Sequence, residues 1–151
     1  MSKIGISMGE KVIYVDNPKD WPIQPHVSYW GKPWMFLLRD TVQFANNIVE
    51  AEAMLQDTTR TMMIHFGLAS LPDKTFRGGD MAHNFITFYD DKNYTHYRPE
   101  HPQFDGIFYY DKGIQPSVDL CIGSITKGVH GQIVPENMFR DIAGFHETGD
   151  A

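Results

Sequence analysis

Near its start, the chain alternates apolar and polar positions in a way that is typical of β-structure. Residues 4–8 and 11–15 are two short β-like stretches joined around Gly9, and they predict a hairpin or a bent strand. Residues 16–33 are rich in proline, which lacks a backbone N–H and interrupts regular hydrogen-bonded structure. We therefore expect a loop with buried aromatic side chains after the first β-segment.

The next segment changes to a helical spacing of apolar residues. These residues recur every three or four positions over 34–44, and the preceding Pro33 is tolerated in the first turn of a helix. Asn47 is followed three positions later by Glu50, a pattern that resembles a capping box. The sequence therefore predicts one helix over 34–44 and a second helix that runs through Leu55.

A run of strand length follows the second helix. Residues 61–69 are mostly apolar and precede a turn-forming Leu-Pro-Asp-Lys sequence at 71–74. Residues 75–79 continue as a predicted partner strand, and the paired glycines at its end indicate a bulge or a close backbone approach. Residues 85–89 carry apolar side chains on both faces, so we expect a strand that is covered on both sides.

Shorter elements complete the pattern. The sequence predicts a turn at 90–93, a short strand at 107–110, a helix at 118–125 and another helix that begins at Pro135. The order of elements is thus strands, helices, strands and helices. This order predicts the α+β class, with helices packed on a mostly antiparallel sheet in a single domain over residues 1–151.

Length and composition narrow the class of protein. A chain of 151 residues, 42% of them hydrophobic, can bury a sizeable core in one domain. The net charge of −6, without a clustered Lys/Arg stripe, argues against nucleic acid as a partner. No apolar run is long enough to span a bilayer, and the N-terminus lacks the segments of a signal peptide. No membrane span is expected, and the compartment stays open.

Few residues offer chemistry that the sequence alone identifies. The single cysteine, Cys121, cannot form an internal disulfide, and its apolar neighbours favour a packed helix over an activated nucleophile. The seven histidines show no paired ligand spacing, so no metal site is predicted. Because the chain has neither a phosphate-binding loop nor a Gly-x-Ser-x-Gly sequence, we expect no cofactor and no serine-hydrolase chemistry.

Five segments together resemble a known family. They are IGISMGEKV at 4–12, KPWMFLLRD at 32–40, NNIVEAEAML at 46–55, RTMMIHFGLAS at 60–70 and FRGGDMAHNFITFYDDKN at 76–93. In their order and in scattered residues, these segments resemble the downstream half of the acyl-coenzyme A:6-aminopenicillanic-acid acyltransferase family. That family of N-terminal-nucleophile hydrolases includes ceramidase-like amidases.

The resemblance implies a fold and a chemistry. Members of this family resemble one another in a four-layered αββα sandwich, and they cleave themselves just before a cysteine whose free α-amino group then acts as general base. The implied function is hydrolysis of a linear amide C–N bond, or acyl transfer, on an N-acyl small molecule or lipid. The family's nucleophile lies upstream of the matched region, so the chain is expected to be a fragment. It would be inactive alone and would need the upstream segment of the same protein, and a secreted or lysosomal parent protein is left open.

The resemblance also suggests four candidate site residues, provided that the upstream segment is present. Asn84 and Asn93 would donate hydrogen bonds to the substrate, as Asn-type donors do at an oxyanion. Arg77 and Asp91 would orient the substrate by their charge. For each of the four, a structural role is the alternative.

A second function from another class fits the same sequence. In this alternative, the chain is a self-contained α+β binding or interaction domain without catalysis, whose Trp/Tyr-rich loop and strands present a surface to a partner. The two functions predict different surfaces. A fragment leaves a sheet face or edge that a missing layer should cover, whereas a binding domain closes its own core and unfolds cooperatively.

Overall fold

The computed structural model describes residues 5–12, 27–93, 104–107, 127–138 and 140. The chain divides into two compact units, Met1–Asp90 and Asp91–Ala151. Among the described residues, no helix is both long enough and apolar enough to cross a membrane.

Two helices follow each other in the first unit. The first, α1, spans Trp34–Phe44, and the second, α2, spans Ile48–Asp57. Asn47 is the N-cap of α2, and its side-chain Oδ1 accepts a hydrogen bond of 2.9 Å from the backbone N–H of Glu50. Both predicted helices are therefore confirmed, and α2 extends beyond its predicted end at Leu55.

A four-stranded antiparallel sheet forms the other layer of this unit. Its strands lie side by side in sequence order and are β1 (Ile6–Val12), β2 (Ile64–Ser70), β3 (Thr75–Met81) and β4 (Ile86–Tyr89). The predicted turn at 71–74 joins β2 to β3, and these two strands pair over their full length. The helices and this sheet confirm the α+β class.

Both helices pack against one face of the sheet. Alternate strand residues point to this helix-facing side, where they are buried with the inner faces of α1 and α2. The buried cluster consists of Ile6, Leu37, Leu38, Ala45, Ile48, Ala51, Leu55, Ile64, Phe66, Leu68 and Met81. Each fully buried aliphatic side chain of this kind contributes about 2 kcal/mol through the hydrophobic effect. The interface between helices and sheet is therefore the main source of stability in this unit.

The paired glycines of β3 mark a close approach and not a bulge. The pairing of β3 with β2 continues without interruption through both glycines. A Cβ atom added at Gly79 would lie 2.3 Å from Cζ of Phe66 and 2.5 Å from the carbonyl oxygen of Thr87. Of the two predicted alternatives, close approach is confirmed at Gly79, because only a residue without a side chain leaves room for the Phe66 ring.

One strand prediction is narrowed and another needs correction. Of the predicted hairpin and bent strand, the hairpin is excluded, because β1 runs through Gly9 as one strand. β4 is not covered on both sides, because Thr87 is exposed while Ile86 and Phe88 pack against the core. The apolar residues on both faces of β4 led to an overestimate of its burial, because β4 is an edge strand of the described sheet.

The second unit is described only in short pieces. Residues 91–93 form the predicted turn, and Phe104 and Ile107 form an isolated antiparallel bridge. A short helical segment, α3, spans Pro135–Asn137 and begins at the predicted proline. The predicted helix at 118–125 and the remainder of the predicted strand at 107–110 lie outside the described residues.

Candidate functional site

The sheet face opposite the helices, here called the outer face, carries a row of glycines. Gly9 of β1 pairs with Gly67 of β2, and Gly67 pairs with Gly78 of β3, so the three lie side by side across the sheet. Gly9 and Gly67 are exposed, and a Cβ atom added at either would meet no atom within 4 Å. Gly78 is buried. We call these three residues the glycine strip.

A polar cluster of His65, Asp80 and Tyr89 lies beside the glycine strip. His65 pairs with Asp80 across β2 and β3, and its Nδ1 contacts Oδ1 of the Asp80 carboxylate. The Tyr89 hydroxyl donates to Oδ2 of the same carboxylate at 3.3 Å. Burial, followed by the negative charge of Asp80, raises the pKa of Tyr89 above its usual 10.0. The phenol therefore keeps its proton at neutral pH and acts as a donor.

The short connection from β3 to β4 carries Asn84. The N–H of Ala82 donates to the carbonyl of Phe85 at 2.9 Å, which closes this connection into a tight turn. Both polar atoms of the Asn84 side chain, Nδ2 and Oδ1, are shielded from solvent, and neither has a hydrogen-bond partner among the described residues. A buried polar group without a partner costs about 1–3 kcal/mol. Asn84 therefore carries two unsatisfied polar atoms in this turn.

Arg60 anchors this turn to the C-terminal end of α2. The Arg60 side chain is buried, and its Nε donates to the carbonyl of Ala82 at 2.9 Å. Its Nη1 donates to the carbonyls of Leu55 and of Thr58, the latter at 2.8 Å. The carbonyl of Arg60 in turn accepts a hydrogen bond of 2.6 Å from Nδ1 of His83. A guanidinium at this position also interacts favourably with the helix dipole, and burial lowers the pKa of Arg60.

A carboxylate in the β2–β3 turn fixes the other end of α2. Asp73 accepts one hydrogen bond from the Ser70 hydroxyl and another, at 2.6 Å, from the backbone N–H of Ile48. An N–H in the first turn of a helix has no partner within that helix, so the carboxylate satisfies it. These two bonds hold the pKa of Asp73 below its ordinary value of 3.8. Side chains outside the helix therefore anchor α2 at both ends.

The predicted site residue Arg77 lies on the helix-facing side of β3. Its Nε forms an ion pair of 2.8 Å with Oε1 of Glu52 on α2, and its Nη1 donates to the carbonyl of Phe76 at 2.8 Å. Arg77 and Asn84 are not brought together, since the strand between Arg77 and Met81 alone spans about 13 Å. These contacts give Arg77 a structural part in joining α2 to the sheet, and its role in orienting a substrate stays a prediction.

The other two predicted site residues belong to the second unit. Asp91 accepts a hydrogen bond of 2.7 Å from the backbone N–H of Gly106 through its Oδ2. Asn93 is exposed in the same turn. The contact of Asp91 holds the local backbone in this unit, and the predicted roles of both residues toward a substrate stay predictions.

Neither a metal site nor a thiol lies among the residues that the structure describes. Within the part of the chain that the structure describes, no three His, Cys, Asp or Glu side chains form a group that could hold a metal ion. Cys121 lies outside that part. The packed helix predicted around Cys121 therefore stays a prediction.

Neither the polar cluster nor Arg60 was predicted from the sequence. His65 and Tyr89 lay within predicted strands that are far apart along the chain, and Asp80 lay just past the predicted end of a third strand. Alternation within those strands is a signal that they share a face, but a register error of one residue would move a side chain to the other face. Arg60 follows α2 at a helix end that lacks a glycine cap, which is a weak signal for a side chain that satisfies the last carbonyls.

Two curated proteins of Dictyostelium discoideum are similar to this chain. The protein dcd1B is 31% identical over 124 residues, which make up 80% of this chain and 25% of dcd1B. The protein dcd1A is also 31% identical over 124 residues, which make up 80% of this chain and 28% of dcd1A. No protein-family model and no solved structure matches the chain. The chain thus spans about a quarter of the length of the curated relatives it matches.

Proposed function

We propose that this chain is part of a linear-amide C–N hydrolase or acyltransferase that acts on N-acyl substrates. The observation that carries this proposal is the Asn84 side chain, which is shielded from solvent and has no hydrogen-bond partner among the described residues. A secondary amide offers one carbonyl acceptor and one N–H donor, which match Nδ2 and Oδ1 of Asn84. Because the C=O and N–H of a trans amide point in opposite directions, one amide bond satisfies one of the two atoms, and in our proposal its carbonyl accepts from Nδ2.

The layers of the first unit support the same proposal. Helices α1 and α2 cover one face of the sheet, while Gly9 and Gly67 are exposed on the outer face. In an αββα sandwich, a second sheet packs on such a face at a distance of about 10 Å. In our proposal, the second sheet and the attacking cysteine come from another segment. The greater length of dcd1A and dcd1B is compatible with such a segment in those proteins.

Asn84 and Arg60 have different roles in the proposed reaction. Asn84 Nδ2 donates to the substrate carbonyl and stabilises the negative charge that develops on its oxygen during attack. Arg60 is a positioning residue, because its Nε holds the carbonyl of Ala82 at the start of the turn that carries Asn84. The 151-residue chain alone should then bind an amide without cleaving it, since Cys121 is not the nucleophile in this proposal.

Calorimetric titration with N-methyloctanamide tests the binding part of the proposal. Asn84→Ala should weaken binding about fivefold or more, because leaving a neutral hydrogen-bonding group without its partner costs roughly 1–3 kcal/mol. Methyl octanoate, whose ester carbonyl is a weaker hydrogen-bond acceptor than an amide carbonyl, should bind more weakly than the amide to the wild-type chain. Gln43→Ala, which removes an exposed amide from α1, is the matched control and should leave binding unchanged. Equal affinities of the wild-type chain and Asn84→Ala would refute the role of Asn84.

A turnover assay on the same samples tests whether the chain carries a nucleophile of its own. The wild-type chain should release no methylamine from N-methyloctanamide. Release of methylamine that the Cys121→Ala substitution abolishes would contradict the proposal, because the chain would then carry its own nucleophile.

A specific observation also favours the binding-domain alternative. Tyr29 is 100% exposed and Trp30 is 84% exposed, which is unusual for side chains with so much apolar surface. Their loop is fixed to the segment after α2, since the N–H of Ser28 donates to Thr61 at 2.9 Å and the N–H of Lys32 donates to Thr59 at 2.8 Å. This second candidate predicts one cooperative unfolding transition of residues 1–151 in urea. A broad, non-cooperative transition would count against it.

A further inference from the structure

Residues 93–95 read Asn-Tyr-Thr, which is the acceptor sequence for N-linked glycosylation. This sequence requires a serine or threonine two positions after the asparagine and any residue except proline between them. No other asparagine of the chain has serine or threonine at that position. The motif therefore selects a single asparagine, and the fold decides whether its side chain is accessible.

The structure places Asn93 where a glycan can be attached. Asn93 lies in the turn at 91–93, and its side chain and that of Lys92 are exposed. Asp91 holds this turn, since its Oδ2 accepts a hydrogen bond of 2.7 Å from the N–H of Gly106. An N-linked glycan is bulky and belongs on a surface loop, because the sugar and the transferase both approach from solvent. Asn93 meets this requirement in its exposure and in its backbone structure.

Other asparagines of the described chain lack one or both of these features. Asn46 is exposed as well, but its Nδ2 donates to Glu50 at 2.8 Å, and no hydroxyl residue follows it at the second position. The polar atoms of Asn84 are shielded from solvent, and Asn84 also lacks such a residue. Among the described residues, Asn93 alone combines the acceptor sequence with an exposed side chain.

We propose that Asn93 is an N-glycosylation site, and that the chain receives an oligosaccharide there in a secretory compartment. Nδ2 of Asn93 forms a bond to the anomeric carbon of the first sugar of a lipid-pyrophosphate-linked oligosaccharide. The bond between that carbon and the pyrophosphate oxygen breaks, and the lipid pyrophosphate leaves with the electron pair. Nδ2 gives up one proton to a base of the transferase. The inference is independent of the proposed function, since it holds equally for a binding domain.

A glycan at Asn93 separates the two asparagines that the resemblance suggests as substrate donors. The first sugar would be bonded to Nδ2 of Asn93, the atom that a substrate would need as its donor. Asn84 lies outside any acceptor sequence and stays the asparagine of the proposed function. Thr95→Ala distinguishes the two roles of Asn93, because it removes the acceptor sequence and keeps the Asn93 amide.

Peptide mass spectrometry of the native protein, enriched with an antibody against this chain, tests the site. Digestion with peptide N-glycosidase F in heavy-oxygen water should convert Asn93 to an aspartate that carries the heavy isotope. Asn46 should remain an asparagine and is the internal control. The isotope separates this conversion from earlier deamidation. Full recovery of unmodified Asn93 without the glycosidase would overturn the proposal, even if the chain can be glycosylated elsewhere.

Secretion of the chain from eukaryotic cells behind a cleavable signal peptide gives a second measurement. The wild-type chain should migrate as a larger species, and the glycosidase should abolish this shift. Asn93→Gln and Thr95→Ala should both lose the shift, whereas Thr95→Ser restores the hydroxyl and should keep it at least in part. Asn46→Gln is the matched control and should keep it fully. A wild-type chain without a glycan, or a shift that persists in Thr95→Ala, would overturn the proposal, while amide binding through Asn84 would be unaffected.

Discussion

Replacing Arg60 by alanine removes the side chain that joins the end of α2 to the turn carrying Asn84. The buried guanidinium donates to the carbonyls of Leu55 and Thr58 at the helix end and to that of Ala82 in the turn. Three carbonyl acceptors lose their partner together in Arg60→Ala. We therefore expect both a less stable protein and a less ordered Asn84 turn.

The magnitude follows from these contacts. A hydrogen bond from a charged donor contributes roughly 1.5 kcal/mol at the low end of its range. The two bonds of ordinary length, to the carbonyls of Ala82 and Thr58, therefore contribute about 3 kcal/mol together. The charge at the helix C-terminus adds roughly 0.5–1 kcal/mol. Arg60→Ala should thus lower the free energy of unfolding by about 3.5–4 kcal/mol. This loss is a large part of the total for a domain of ordinary stability.

Urea unfolding followed by circular dichroism measures this loss. Arg39→Ala is the control, because Arg39 is exposed on α1 and its ion pair with Asp40 is screened by solvent. Arg60→Lys should recover little stability, since one ammonium group cannot reach acceptors on both the helix and the turn. A loss below 1 kcal/mol in Arg60→Ala, equal to that of the control, would refute the reasoning.

Three further predictions concern the same unit. In Asp73→Asn, the stability difference from wild type should be constant above about pH 5. It should shrink as the pH falls through 3.8 toward the lowered pKa of Asp73, because that carboxylate stabilises the fold only while ionised. Urea midpoints between pH 2 and 7 give the sign, and a difference that is independent of pH would contradict it. Gly79→Ala should lower the free energy of unfolding by about 1–3 kcal/mol through the clash with Phe66, whereas Gly67→Ala should be neutral or stabilising, and equal effects would count against the packing described. Tyr89→Phe should lower the free energy of unfolding by about 0.5–1.5 kcal/mol at pH 7. This loss should shrink as the pH rises above 10.0, because the unfolded chain then releases the phenol proton while the raised pKa of Tyr89 keeps it bound in the folded protein, which weakens the wild-type fold.

Local signals in the sequence were sufficient to predict the two helices and the β2–β3 hairpin. The spacing of apolar residues placed α1 over Trp34–Phe44, and the Asn47 cap placed the start of α2. These features depend on residues three or four positions apart, so the sequence carries them directly. The burial of β4 was mispredicted because it depends on which strands lie beside it, which periodicity does not specify.

The candidate site was predictable only in part. Asn84 was suggested by resemblance, but its lack of a partner depends on the fold of the 82–85 turn and on the elements around it. The contact between His65 and Asp80 requires the strand register, and the glycine strip requires the register of three strands. Such relations between distant residues leave no periodic trace in a single sequence.

The central claim is that Asn84 recognises an amide bond, and one NMR measurement tests it most directly. In a sample saturated with N-methyloctanamide, the side-chain amide protons of Asn84 should show nuclear Overhauser contacts to the N-methyl group and to the first methylene of the probe. Their chemical shifts should also move as the probe is added. Saturation of the chain with probe while the Asn84 side-chain signals neither shift nor contact it would contradict the account.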